Sequence, residues 1–296
     1  MKKKIKGIIL AGGYGTRLFP LTKGTSKQLL PVYDKPMIYY PLSVLMITGI
    51  KEILLISTPK DIIRFKDLLG NGNHIGLKIS YAVQDEPKGI AEAFIIGKEF
   101  IKNDNVCLIL GDNLFHGKNL ELLLASARKI LQNDNKSSIF GYHVNNPQDF
   151  GIIQFNSQGS ILKIIEKPKN PKSDLAVVGL YFYTNDVVEI VKKIKPSLRN
   201  ELEITDINNY YLQINRLNVI KLKKDFSWLD TGTFDALIKA SEYIKNVENK
   251  TGIKVACLEE IAFELGLINS NQLNDIGISM GQSSYGQYLI NKLKNI

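Results

Sequence analysis

Short, unbroken runs of Val, Ile and Leu separated by stretches of helical periodicity constrain this chain more than any other feature. Residues 6–10, 52–57, 78–83, 106–110 and 138–144 read as strands. Between them, 36–48, 59–69, 90–101 and 119–131 read as helices. A strand with one face in water alternates apolar and polar residues, whereas a strand that is apolar throughout is covered on both faces. Strands of the second kind alternating with helices imply an α/β fold with a mostly parallel, doubly wound sheet. Ligands of such sheets sit beyond the carboxyl ends of the strands, so chemistry is expected just after Leu10, Val83 and Leu110.

From about residue 151 the texture changes. Residues 151–155, 161–166 and 176–183 read as antiparallel strands joined by turns such as Ser157-Gln158-Gly159, and 169–173 as a polar, proline-bearing loop. Helices are expected near 186–194 and 205–213, a strand at 218–223, and a largely helical tail from 233 with helices at 257–267 and 284–293. With no internal repeat and no Gly/Ser linker, the expectation is one compact unit: a core over 1–232, an inserted antiparallel lobe over about 151–223, and a helical region over 233–296 packed on the core.

The 296 residues suffice for a large core, and 44% hydrophobic with 23% charged residues is ordinary globular composition. No apolar run approaches the roughly 20 residues that cross a bilayer. The basic start, Lys2-Lys3-Lys4, has too few apolar residues before the glycines to read as a secretory signal. Two cysteines are too few for a disulfide framework, and Cys107 lies inside an apolar run, so a reduced, cytoplasmic protein is expected. The net charge of +9 is spread as single lysines and short pairs, which identifies no nucleic-acid or membrane partner.

The strongest local signal is Leu10-Ala11-Gly12-Gly13-Tyr14-Gly15-Thr16-Arg17, directly after the first strand. Glycines there let backbone N–H groups converge on phosphate, and Arg17 adds a permanently charged, multidentate donor. The dinucleotide fingerprint fails at Leu18, where it needs glycine, and the Walker loop fails because Gly15-Thr16-Arg17 is not Gly-Lys-Ser/Thr. The loop is phosphate-binding but of neither common class. Further on, Lys27 precedes an apolar, proline-ended segment, a placement that by itself reads as an ordinary surface charge. Gly111-Asp112 puts a carboxylate at the carboxyl edge of the sheet, where Mg²⁺ bridging phosphates is held, and Asp230 is a second acid in what reads as a loop.

These motifs resemble those of a known family. LAGGxGTRLxPLT over 10–22, the downstream lysine and proline, and the later Gly111-Asp112 resemble the sugar-phosphate nucleotidyltransferases. Lys27-Gln28-Leu29-Leu30-Pro31, the 33–42 segment, Glu166-Lys167-Pro168, Gly179-Leu180-Tyr181-Phe182-Tyr183, the 201–208 segment, Trp228-Leu229-Asp230-Thr231-Gly232 and Tyr285-Gly286-Gln287-Tyr288-Leu289 extend the likeness over essentially the whole chain, within that family to the glucose-1-phosphate thymidylyltransferases.

The resemblance implies a Rossmann-like nucleotidyltransferase fold with a sugar-binding antiparallel lobe, joining dTTP to α-D-glucose 1-phosphate to give dTDP-glucose and pyrophosphate, the first step towards dTDP-L-rhamnose. It implies Mg²⁺ on Asp112 and Asp230, a homotetramer, and feedback inhibition by dTDP-L-rhamnose. Gly12, Gly13, Gly15 and Thr16 would cradle the nucleotide, with Arg17 and Lys27 on its phosphates. Gln84, whose amide offers a donor and an acceptor to thymine or uracil, would read the base, and Pro87 and Gly89 would complete that pocket. Asn113, Gly151, Glu166, Val177 and Tyr181 would face the sugar, Lys167 and Arg199 its phosphate, and Trp228 would wall the pocket.

A sugar phosphate is already a competent nucleophile, so the task is to bring two polyanions into line at the α-phosphorus. His74, His116 and His143 have no part in that. Phe150, Glu92, Asn200 and His116 depart from the family pattern, where tyrosine, glutamine, glycine and tyrosine are expected, and the last bears on the regulatory nucleotide site. UTP is the rival nucleotide, since uracil shares the edge that Gln84 reads. A silent sugar-nucleotide sensor is the rival class, and it would have lost Arg17, Lys27 or Asp112.

Overall fold

The computed structural model describes residues 3–223 and 225–294; the first two residues of the basic start and the last two of the C-terminal region lie outside the described residues. In chain order the strands are β1 (Ile5–Ala11), β2 (Pro31–Val32), β3 (Lys35–Pro36), β4 (Glu52–Ser57), β5 (Lys78–Val83), β6 (Asn105–Leu110) and β7 (Asn113–Gly117). They continue as β8 (Ser137–His143), β9 (Gly151–Phe155), β10 (Ile161–Glu166), β11 (Leu175–Tyr183), β12 (Leu217–Lys221) and β13 (Phe226–Asp230).

Nine of them form one mixed sheet in the order β10-β9-β11-β6-β1-β4-β5, with β8 on β11 and β12 on β8. The centre is parallel: β1 pairs with β4 and with β6, and β4 with β5, so that Leu10 lies level with Ile56 on one side and Leu110 on the other. The carboxyl ends of β1, β4, β5 and β6 therefore share one edge. β11 joins this centre to the antiparallel side, running against β6, β8 and β9 with every residue buried. The lobe is thus an extension of the same sheet.

Alternate residues of each central strand enter opposite cores, as the pleat requires. Ile9, Leu55, Ile109 and Phe182 pack with helix Tyr39–Ile47 and the C-terminal helices on one face. Ile8, Leu54, Leu108 and Tyr183 pack with Phe94 and helix Ile204–Gln213 on the other. Each such side chain contributes about 1.5–3 kcal/mol by leaving water. A smaller cluster of Val32, Met37, Tyr40 and Leu114 receives Ala240 and Ile244 from the long helix Phe234–Thr251. Lys35, 3% exposed, lies between Asp34 and Glu248 at the same place, which ties that helix to the β2–β3 hairpin by charge as well as packing.

Several sequence expectations are corrected. The helix expected over 36–48 begins only at Tyr39, because Lys35 and Pro36 pair as β3. The helix expected over 90–101 is two short helices, Glu92–Ile96 and Lys98–Ile101, meeting at Gly97, whose bare Cα lies so close to Ile8 that a Cβ would fall 2.9 Å from its Cδ1. The helix over 119–131 runs as Leu120–Lys129 and ends in a wider π turn. The residues following Asp112 form β7, and Asp230 ends a strand, not a loop: β7 and β13 pair as an antiparallel ribbon with Asp230 level with Asn113. No helix among the described residues is long and apolar enough to cross a membrane.

Candidate active site

Two hollows open at the carboxyl edge of the parallel strands, and Asp112 lines both. The first, about 220 Å³, lies over the ends of β1 and β5 and is lined by Gly12, Gly13, Gln84, Pro87 and Gly89. Two of its glycines lie in close approach, Gly12 to a side-chain end and Gly89 to backbone. A Cβ on Gly12 would fall 2.2 Å from Gln84 Oε1, and one on Gly89, at φ +101°, would fall 2.4 Å from the carbonyl oxygen of Leu202. Gln84 is 3% exposed, and its Nε2 donates to Glu92 Oε2 at 2.7 Å.

The second hollow, about 250 Å³, is lined by Arg17, Asn113, Gly151, Glu166, Lys167, Val177, Tyr181, Arg199, Trp228 and Asp230, drawn from the loop after β1, from β7, β9, β10, β11 and β13. Gly15, at φ +61°, and Thr16 do not line either hollow. They form the turn that delivers Arg17, with the carbonyl of Gly15 accepting from Thr22 Oγ1 at 2.8 Å. Lys27 does not line a hollow either. It is 5% exposed and reaches Asp112 Oδ2 from behind at 2.6 Å.

The electrostatics of the two aspartates differ. Burial alone would raise Asp112, but the Lys27 ammonium and donors from Asn113 outweigh it and hold the carboxyl below its usual range. Burial raises Asp230, and the charge on Asp112 raises it further, against the opposing pull of Lys27 and Arg17. Two oxygen-donor carboxylates that repel each other at the sheet edge suit a hard divalent cation. No cluster of three or more His, Cys, Asp or Glu that could hold a metal is found among the described residues.

Asn113 organises the wall. Its Nδ2 donates to Asp112 at 3.0 Å, while its Oδ1 accepts from Trp228 Nε1 at 2.7 Å and from the Gly179 N–H at 3.0 Å. One side chain thereby links β7, β11 and β13. Arg17 and Lys167 have no ion-pair partner among the described residues, and both also line the wider mouth that opens outward past Gly232. Arg199 is different. Its guanidinium meets Glu203 at 2.9 Å, Glu166 at 3.3 Å and Glu201 at 3.3 Å, so it balances a carboxylate cluster in the wall of the second hollow. Glu201 and Glu203 carry no role in the sequence reading; the Glu-Leu-Glu spacing was visible, but not the arginine they would meet. Of the histidines, His74 is exposed, His143 pairs with Asp174 at 2.8 Å, and His116 lies 2.8 Å from the Tyr243 hydroxyl with its pKa lowered by burial.

A mixed α/β sheet whose parallel centre carries, at its carboxyl edge, two aspartates and two cations without ion-pair partners among the described residues defines a protein that handles phosphorylated ligands. The pattern of the Nucleotidyl transferase family matches residues 6–247, and the chain belongs to that family. It is 52% identical to a glucose-1-phosphate thymidylyltransferase of Neisseria meningitidis over 98% of this chain and 100% of the relative. Among solved structures, a Bacillus anthracis protein in complex with a sucrose superposes with a TM-score of 0.74 at 38% identity, covering 81% of this chain and 94% of that one. A UDP-glucose pyrophosphorylase complexed with UDP-glucose superposes with a TM-score of 0.72 at 27% identity, covering 83% and 100%.

Proposed function

We propose that the chain transfers the thymidylyl group of dTTP to α-D-glucose 1-phosphate, releasing pyrophosphate and dTDP-glucose. The observation that carries this reading is that Asp112, with Lys27 behind it and Asp230 facing it, belongs to both hollows, so two ligands laid one in each meet at a single charged point. The thymidylyltransferase relative, more similar than the UDP-glucose enzyme, supports dTTP as the nucleotide.

In this reading Gly12, Gly13, Gln84, Pro87 and Gly89 take the nucleotide base and sugar. Arg17 and Lys167, without an ion-pair partner among the described residues, meet the phosphates of the two substrates and offset their repulsion. Lys27 keeps Asp112 ionised, Asn113 holds it in place, and Gly151, Glu166, Val177, Tyr181 and Trp228 enclose the hexose. Asp112 and Asp230 would hold Mg²⁺, which supplies positive charge to the phosphates. An oxygen of the sugar phosphate forms a bond to the α-phosphorus of dTTP as the bond to pyrophosphate breaks in line with it, and no general base is required. Arg199, occupied by three carboxylates, reaches the sugar phosphate only by exchanging one of them.

The core over 1–232 and its lobe over about 151–223 form the catalytic unit in this reading, and the helices of 233–296 serve homotetramer contacts in the cytoplasm, with dTDP-L-rhamnose as a feedback ligand. The test is a pyrophosphate-release assay crossing dTTP, UTP, dCTP and ATP against several hexose 1-phosphates, with and without Mg²⁺. The highest kcat/KM is expected for dTTP with glucose 1-phosphate and Mg²⁺; a higher value for UTP would replace the nucleotide assignment, and no release with any pair would refute the reading.

A further inference from the structure

The contact between Gln84 and Glu92 does work that the proposed reaction leaves unassigned. Gln84 follows β5, and its backbone N–H donates to Ser57 O at 2.9 Å, which anchors the residue at the sheet edge. Its side chain is buried, with Nε2 on the Glu92 carboxylate at 2.7 Å and Oε1 turned to the glycine wall at Gly12. Glu92 stands in the first turn of helix Glu92–Ile96.

A primary amide has a donor end and an acceptor end of nearly the same shape, so a half-turn of the group exchanges them with little steric change. A carboxylate accepts and never donates. Glu92 therefore makes the two orientations unequal: with the NH₂ group towards it a hydrogen bond forms, and with the carbonyl towards it two acceptors oppose each other. The carbonyl oxygen is left facing the hollow, with one N–H of the amide still free beside it.

We propose that Glu92 is a positioning residue for base selection, which locks the Gln84 amide so that its oxygen accepts from the N3–H of an imide-type pyrimidine, thymine or uracil. This inference rests on the reading that this hollow takes the nucleobase. Cytosine placed in the same pose presents an unprotonated N3, an acceptor, to the locked oxygen and is rejected. The 5-methyl group is outside this device, which separates thymine and uracil from cytosine and not from each other.

The test compares the ratio of kcat/KM for dTTP over dCTP, at fixed glucose 1-phosphate, in the full-length wild type, Glu92→Ala, Glu92→Gln and Gln84→Ala. Loss of one orienting hydrogen bond corresponds to a fall in the ratio of about tenfold for Glu92→Ala, carried by KM for dTTP more than by kcat. Glu92→Gln, which can still accept through its own carbonyl, is expected between the two. A ratio unchanged in Glu92→Ala but collapsed in Gln84→Ala overturns the role of Glu92 and leaves the base assignment standing; a ratio unchanged in both removes the base assignment itself. Should Glu92→Ala fail to fold, calorimetric dissociation constants of dTDP and dCDP for Glu92→Gln decide: a narrowed ratio supports the lock and an unchanged one overturns it.

Discussion

Replacing Lys27 by methionine keeps the length and most of the volume of the side chain but removes the ammonium that lies 2.6 Å from Asp112 Oδ2. The lysine side chain is 6% exposed and the aspartate 25%, so the carboxylate is left in a place that water reaches only in part. Removing one partner of a fully buried pair costs about 3–5 kcal/mol, and the partial exposure of Asp112 brings the expectation to about 2–3 kcal/mol. An unfolding entropy of about 2.1 cal/mol/K per residue gives about 0.6 kcal/mol/K for a chain of this length, so Tm should fall by about 3–5 °C. Scanning calorimetry at neutral pH measures this directly. The decisive comparison is with Lys27→Met combined with Asp112→Asn, in which no charge is orphaned and which should be more stable than Lys27→Met alone. An unchanged Tm in the single variant, or a double variant as unstable as the sum of its parts, would refute the account of Lys27 as the charge partner of Asp112.

Asp230→Asn should raise Tm at neutral pH, since Asp230 is held above its usual range by burial and by Asp112, while pyrophosphate release falls by at least about a hundredfold; equal activity would take Asp230 out of the site. Burial opposes but Lys254 and Lys35 prevail in lowering the Asp34 pKa, so its stabilisation is present above 3.8 and lost as pH falls through the lower folded value. Tm of Asp34→Asn should therefore lie below wild type at neutral pH and converge with it in acid; parallel curves would contradict the assignment. Burial pushes the Cys257 thiol up to about 12 and Cys107 higher still, so neither should react with iodoacetamide in the native protein, and mass spectrometry should find both alkylated only after unfolding. Gly89→Ala places a Cβ against the Leu202 backbone at a φ that L residues avoid, and should cost about 2–3 kcal/mol in urea unfolding, in contrast to Gly13→Ala, where the space is open.

The parts of the fold that were legible are those whose environment marks the chain locally. Strands β1, β4 and β6 are covered on both faces, so their central residues form unbroken apolar runs, and those runs mark the functional edge in the sequence itself. The glycine loop and Asp112 were legible for the same reason, each directly following such a strand. The β7–β13 ribbon was not: its strands are five residues each, and their partners lie more than a hundred positions apart, so nothing near Asn113 announces Trp228. The crowding at Gly97 was hidden because part of it comes from the distant Ile8, beside the local Ala93 carbonyl. Residue type told that Glu201, Glu203 and Arg199 are charged, but only their convergence shows that the arginine is already occupied.

The pairing of Asp230 level with Asn113 also has a temporal side. Asp112 leaves the ribosome 118 residues before Asp230 (230 − 112), which at about 5–20 residues per second is roughly 6–24 s of translation. Throughout that interval the residues of the glycine turn and of the parallel strands β1, β4, β5 and β6 have all been synthesised, while the second acid has not. On the proposed reading, in which Asp112 and Asp230 act together, a newborn chain would lack turnover until nearly four-fifths of its length has been made, although the residues lining the first hollow are all synthesised earlier.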